Sequence, residues 1–188
     1  MSTEKTTQKK NTAWQEFYEL LESFAMAIVL VVLIFTLLFR IFVVKGPSME
    51  STLIEGDRIV ATNLFFTPET GDVIIFSGKY NDGEVLVKRV IGTAGDTIDI
   101  SDDGKVYLNG QLLDEPYLDS HQITLEHPYS PITLPYTVQA DELFVMGDNR
   151  LESLDSRSTE IGIADTKRVL GKVVFRLFPN TGVIDDGK

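Results

Sequence analysis

Residues 24–39 read FAMAIVLVVLIFTLLF, sixteen positions without a charge and with Thr36 as the single polar side chain. A bilayer core of about 30 Å takes roughly 20 apolar residues to cross as a helix. The apolar pattern resumes after Arg40 as Ile41, Phe42, Val43 and Val44. Phe24–Val44 is therefore long enough if Arg40 snorkels to the headgroups, as a long cation near a helix end does. Trp14, Phe17 and Tyr18 precede the run and suit an interfacial aromatic belt. A cleavable leader has a shorter apolar core followed by a small-x-small site, and Phe42-Val43-Val44-Lys45 offers none. A buried core helix would show a polar face, which this run lacks. The run predicts a transmembrane anchor over residues 23–41, between an N-terminal segment (1–22) and a body (42–188).

The chain has 188 residues, with 17 Lys and Arg against 28 Asp and Glu, for a formal net charge of -11. In the first forty residues Lys5, Lys9, Lys10 and Arg40 cancel Glu4, Glu16, Glu19 and Glu22, so the acidic excess lies entirely in the body. An acidic surface repels phosphate, and no nucleic-acid partner is expected. Lys5, Lys9 and Lys10 before the span outnumber Lys45 and Arg58 after it. That bias places the N-terminus in the cytoplasm and the body outside.

The absence of Cys excludes disulfides, zinc-thiolate sites, thiol nucleophiles and iron–sulfur clusters. His121 and His127 are the only imidazoles. They lie in a polar stretch without clustered carboxylates and read as surface residues rather than a metal pair. Asp99–Gly104, DISDDG, imitates the start of a calcium loop. Its twelfth position is Gly110 where a Glu is needed, so it reads as an acidic turn. No metal or cofactor is expected.

Beyond Val44 the apolar runs are short, β-branched and separated by turn residues. Strands are expected at Arg58–Ala61, Val73–Phe76, Glu84–Ile91, Thr97–Ile100, Lys105–Leu108, Gln111–Leu113, Ile132–Val138, Leu143–Val145 and Lys172–Phe178. Asn109-Gly110 predicts a tight hairpin, because both turn positions accept positive φ. Asn81-Asp82-Gly83 is a second expected tip, and a turn or two of helix is expected near Ile163–Arg168. Asp119–Pro131 is polar and reads as a long surface loop. The fold class is mainly β: a transmembrane helix followed by an all-β domain of short antiparallel sheets.

Three segments carry candidate chemistry. Gly46-Pro47-Ser48-Met49 follows the anchor directly and presents Ser48 near the bilayer; alone, such a Ser is an ordinary turn residue. In Glu84–Ile91 the two-residue period puts Leu86, Lys88 and Val90 on one face, with Val87 and Arg89 on the other. One of the two cations must then point toward an apolar side, which an edge strand or snorkelling would also explain. Gly147–Arg157, GDNRLESLDSR, packs short polar groups and carboxylate–guanidinium pairs into eleven residues.

Together GPSMESTL (46–53), GDVIIF (71–76), VKRVIGTAGD (87–96) and GDNRLESLDSR (147–157) resemble, in order, the successive boxes of type I signal peptidases, after that family's membrane anchor. The single anchor and the absence of a large insertion are similar to the compact forms of Gram-positive bacteria. The resemblance implies a membrane-bound serine endopeptidase of the cytoplasmic membrane, acting outside it on secretory preproteins and cutting after small-x-small sequences. It implies Ser48 as nucleophile and Lys88 as general base. Ser153 would orient the lysine amine, Asp155 and Arg157 would brace the region, and Asn149 and Gly147 would support it. Gly46 stands where some members carry a hydroxyl donor for the oxyanion. Met49, Leu53, Leu86 and Val87 would line the pocket nearer the bond, and Phe42, Val44 and Val87 the other; each also suits plain core packing. Two other expectations compete: a catalytically silent membrane-anchored binding domain, and a self-cleaving Ser-Lys regulator. A silent copy would lose Ser or Lys, and such regulators carry a DNA-binding module.

Overall fold

The computed structural model describes residues 3–79, 83–127 and 129–184. The chain divides into two compact units, Met1–Phe39 and Arg40–Lys188. In the first, helix α1 runs Thr3–Leu38, about 54 Å at 1.5 Å per residue. Its Trp14–Leu38 portion, 25 residues, is long and apolar enough to cross a membrane. Thr36 Oγ1 donates to Leu33 O at 2.9 Å, so the hydroxyl inside the apolar run is satisfied by its own helix.

The helix stops at Leu38, before the boundary at residue 41 that the apolar run suggests. Phe39–Val43 is strand β1, beside β2 (Arg58–Thr62). Ile41 and Val43 are β-branched and Phe39 and Phe42 aromatic, side chains that fit a pleated ladder better than a helix.

The remaining strands are β3 (Val73–Ser77), β4 (Val85–Gly92), β5 (Thr97–Ile100), β6 (Val106–Leu108), β7 (Gln111–Leu112), β8 (Tyr136–Thr137), β9 (Glu142–Met146), β10 (Ala164–Asp165), β11 (Val169–Phe178) and β12 (Gly182–Val183). The larger sheet has the order β1-β2-β11-β3-β4-β9-β10, with β12 beside β11; the smaller has the order β7-β6-β5-β8. Val73-Ile74-Ile75-Phe76 has no polar alternation, which is the pattern of a strand covered on both faces. Accordingly Val73 and Ile75 pack into one cluster with Val44, Met49, Leu53 and Ile59, while Ile74 and Phe76 pack into another with Val90, Leu143 and Val145. A third cluster, around Ile91, Ile98, Phe144 and Met146, lies under the smaller sheet.

The Asn109-Gly110 turn has φ of 54° and 77°, as expected for the β6–β7 hairpin. Of Ile132–Val138 only Tyr136–Thr137 is strand; Pro135 has no N–H to give a ladder. Near Ile163–Arg168 there is β10 and then one 3-10 turn, Thr166–Arg168, capped by the Asp165 carboxylate. Asn81 and Asp82 of the second expected tip lie outside the described residues.

Candidate active site

Gly46 has φ +77°, left-handed backbone that favours glycine, and it turns the chain out of β1. A tight turn follows, with Glu50 N–H donating to Pro47 O and Leu53 N–H to Met49 O. Met49 and Leu53 are 1% and 0% exposed in the core. With these two side chains held inside, half-exposed Ser48 faces the other way.

Lys88 comes from the middle of β4, opposite Ile74 of β3. Its Nζ donates to Ser48 Oγ at 2.5 Å. The side chain is 3% exposed, and among the described residues no carboxylate ion-pairs with it. Burial lowers the amine to about 8; Asp155, Asp148 and Glu84 pull it up from a distance and Arg157 pushes it down. The shift from 10.5 corresponds to about 3 kcal/mol against the charged form. In its neutral form the same nitrogen is chemically able to accept a proton from the hydroxyl.

The loop 147–157 holds this pair from behind. Asn149 N–H donates to Ser48 O at 3.0 Å, and Asn149 Nδ2 to Pro47 O at 3.2 Å. A Cβ on Gly147 would fall 2.3 Å from both Ser48 O and Ser153 Oγ, so only glycine allows this approach. Arg157 grips Asp155 through Nε and Nη2, each at 2.8 Å, and Gly147 N–H donates to the same carboxylate at 3.1 Å. Burial works to raise the Asp155 carboxyl, but Arg157 and the Gly147 N–H outweigh it and hold the group below its ordinary value. The brace expected of Asp155 and Arg157 is present. The Ser153–Lys88 bond is not: among the described residues the buried Ser153 hydroxyl has no hydrogen-bond partner. Its side chain lies against Gly147.

Several supporting residues were not legible in the sequence. Arg89 is 0% exposed and clamps Asp148 with Nε at 2.9 Å and Nη2 at 2.8 Å; Nη1 donates to Gly71 O. Thr52 Oγ1 donates to Asp148 Oδ2, which ties the turn that carries Ser48 to that pair. The Tyr117 ring covers the Arg89 guanidinium at 3.7 Å. Burial and Glu115 push the Tyr117 phenol up. Arg150 pairs with Glu115 and not with Asp148, its near neighbour in sequence. The 119–131 stretch is not simply a surface loop. Thr124 is buried and accepts from Arg150 Nη1 at 2.6 Å, Gln122 Oε1 accepts the Arg150 N–H, and Leu125 O accepts from Arg157. The motif's charged density hinted at these pairs, but partners 18–96 residues away cannot be read locally.

A groove of about 250 Å³ opens beside the pair. Phe42, Val44, Met49, Leu86 and Val87 line it. Leu53 does not: it is fully buried and serves to hold the turn. Val43, Lys45, Glu84 and Val85 also line the groove and were missed. Residues 85–88 of β4 pair with β3 on one side, while pairing with β9 begins only at Arg89. Across the groove β1 is the edge of its sheet. Two unpaired backbone edges therefore border one cleft, which suits an extended peptide. His121 is exposed, His127 Nδ1 accepts the Tyr129 N–H, and Asp103 of the acidic turn is bonded to Ser101 and Lys105.

The signature of the family described as "Signal peptidase, peptidase S26" matches residues 17–178. Signal peptidase I of Bacillus licheniformis is 36% identical over 95% of this chain and 96% of its own. Signal peptidase I T of Bacillus subtilis (strain 168) is 34% identical, over 95% and 92%. Signal peptidase IB of Staphylococcus aureus (strain Mu50) is 32% identical, over 88% and 91%. A signal peptidase I crystal structure from Enterococcus faecalis V583 aligns with a TM-score of 0.47 and 32% identity, over 57% of this chain and 97% of that one.

Proposed function

Because the chain belongs to the signal peptidase family, peptidase S26, we propose that it removes signal peptides from exported preproteins with Ser48 as nucleophile and Lys88 as general base. The 2.5 Å contact between a buried, unpaired amine and the Ser48 hydroxyl carries this reading. Neutral Lys88 takes the Ser48 proton as Oγ attacks the scissile carbonyl. The resulting ammonium returns that proton to the leaving amine. Water then attacks the acyl-enzyme, with Lys88 accepting its proton and passing it back to Ser48 Oγ. With a pKa of about 8, roughly a tenth of the amine is neutral at pH 7. Substrate that excludes water from the groove increases that share.

The Ser48 N–H is a candidate oxyanion donor, since among the described residues it is spent on no carbonyl. Gly46 adds no side-chain donor there. The substrate lies as an added strand between β1 and β4, using their free backbone edges. Bulky walls from Phe42, Val44, Met49, Leu86 and Val87 leave room for small side chains at the first and third positions before the bond. The apolar helix up to Leu38 crosses the cytoplasmic membrane once, with the N-terminus inside and the β domain outside. Anchor and precursor then share one bilayer, which raises their effective concentration.

The test is incubation with a precursor carrying Ala-x-Ala, followed by sequencing of the new N-terminus. Cleavage after the second Ala by the wild type, and none by S48A or K88A, is the expected result. A K88A protein that still cleaves would refute the assignment.

A further inference from the structure

Apart from Lys88, the groove lining carries two charges, Lys45 and Glu84. Both are exposed, and among the described residues neither has an ion-pair partner. Lys45 stands three residues before Ser48, on the wall opposite β4. Glu84 stands four residues before Lys88, about 13 Å along an extended chain. Glu84 directly precedes β4 and lines the same groove as Leu86 and Lys88. Leu86 and Val87, between the two, form the wall proposed above for the first and third residues before the bond. A substrate strand that continues along this wall brings about its fifth residue before the bond to the Glu84 carboxylate. The lining between is apolar, so little else there competes for a charge.

We propose that Glu84 is a specificity-determining residue that selects a basic side chain at about the fifth position before the scissile bond. This rests on the substrate path given under the proposed function. A cation there gains an unpaired carboxylate at the groove rim, whereas an acidic residue meets a like charge. For a rim pair open to water, each effect is modest, and together they favour Lys over Glu by about fivefold to tenfold.

The full chain in detergent is given paired peptides with an Ala-x-Ala site and Lys or Glu at the fourth, fifth or sixth position before the bond. The readout is the kcat/KM ratio of Lys to Glu peptides within each variant, which is insensitive to loss of total activity. In the wild type the ratio is expected at about 5–10 in one register and to fall toward 1 in 0.5 M salt. E84Q is expected to bring it near 1 and E84K to invert it. A wild-type ratio near 1 in all three registers, or one unchanged by E84Q, overturns the proposal. Should E84Q not fold, a salt-independent wild-type ratio does so as well. S48A in the same assay separates the two readings. Residual cleavage by S48A sinks the serine assignment, whereas a dead S48A with a charge-blind wild type sinks Glu84 alone.

Discussion

Lys88 and Arg89 are neighbours on one strand, 3% and 0% exposed, and the fold treats them in opposite ways. Arg89 has both oxygens of Asp148, the Gly71 carbonyl and the Tyr117 ring. Lys88 has a serine hydroxyl and, among the described residues, no counter-ion in contact. A buried cation with a full set of partners stays charged and fixes structure. A buried amine without them is pushed toward its neutral form, as the proposed base role of Lys88 requires. Counter-ion placement, rather than burial, sets the two cations of this strand apart.

That contrast breaks most sharply at the dyad. S48A or K88A is expected to reduce precursor cleavage by at least about 10³-fold, with the melting transition retained; cleavage of a reporter precursor measures this. Next comes the structural cation. Arg89→Ala leaves Asp148 buried and unpaired, and a loss of about 3–5 kcal/mol is expected in denaturant unfolding, with Arg157→Ala similar through Asp155. If Arg89→Ala were as stable as the wild type, the division of roles would fail.

Lys88→Met tests the other side of the comparison. The unfolded chain keeps its proton up to about 10.5 and the folded one only to about 8, so stability rises with pH between those values. The penalty is fully present below pH 8. Lys88→Met is therefore expected to stabilise by about 2–3 kcal/mol at pH 7, a gain that shrinks above pH 8 and is gone beyond 10.5. Thermal melts across pH decide it. The wild-type kcat/KM is expected to rise about tenfold per pH unit below 8 and to level above it. A profile flat from pH 6 to 9 would leave Lys88 without a base role. The smallest effect belongs to Gly46→Ala. Space for a Cβ is open, and the left-handed φ alone costs about 1 kcal/mol.

Much of this was legible from local pattern. The strands from Arg58, Val73, Thr97 and Val106 fell within a residue or two of expectation because β-branched runs between turn residues specify extended chain. Strands β1, β10 and β12 were not legible. β1 continues the apolar text of the helix without a break, and the other two are two-residue pairs held by their neighbours. Phe42 and Val44 line the groove although they precede the first of the motif boxes. Glu84 and Lys45 carry no local mark that would assign them to it.

Residue order alone settled that an apolar helix precedes an acidic, cysteine-free β body. Periodicity and turn chemistry act over a few residues and left Ser48 and Lys88 open to ordinary structural roles; the ordered resemblance to signal peptidases singled them out. Tertiary structure decided where the helix ends, that Leu53 is core and not groove wall, and that Arg150 takes Glu115 while Asp148 takes Arg89. Those outcomes depend on contacts between distant segments. A charge in a dry interior is stabilised or neutralised by whichever group the folded chain brings within a few ångströms, and no local pattern specifies that group.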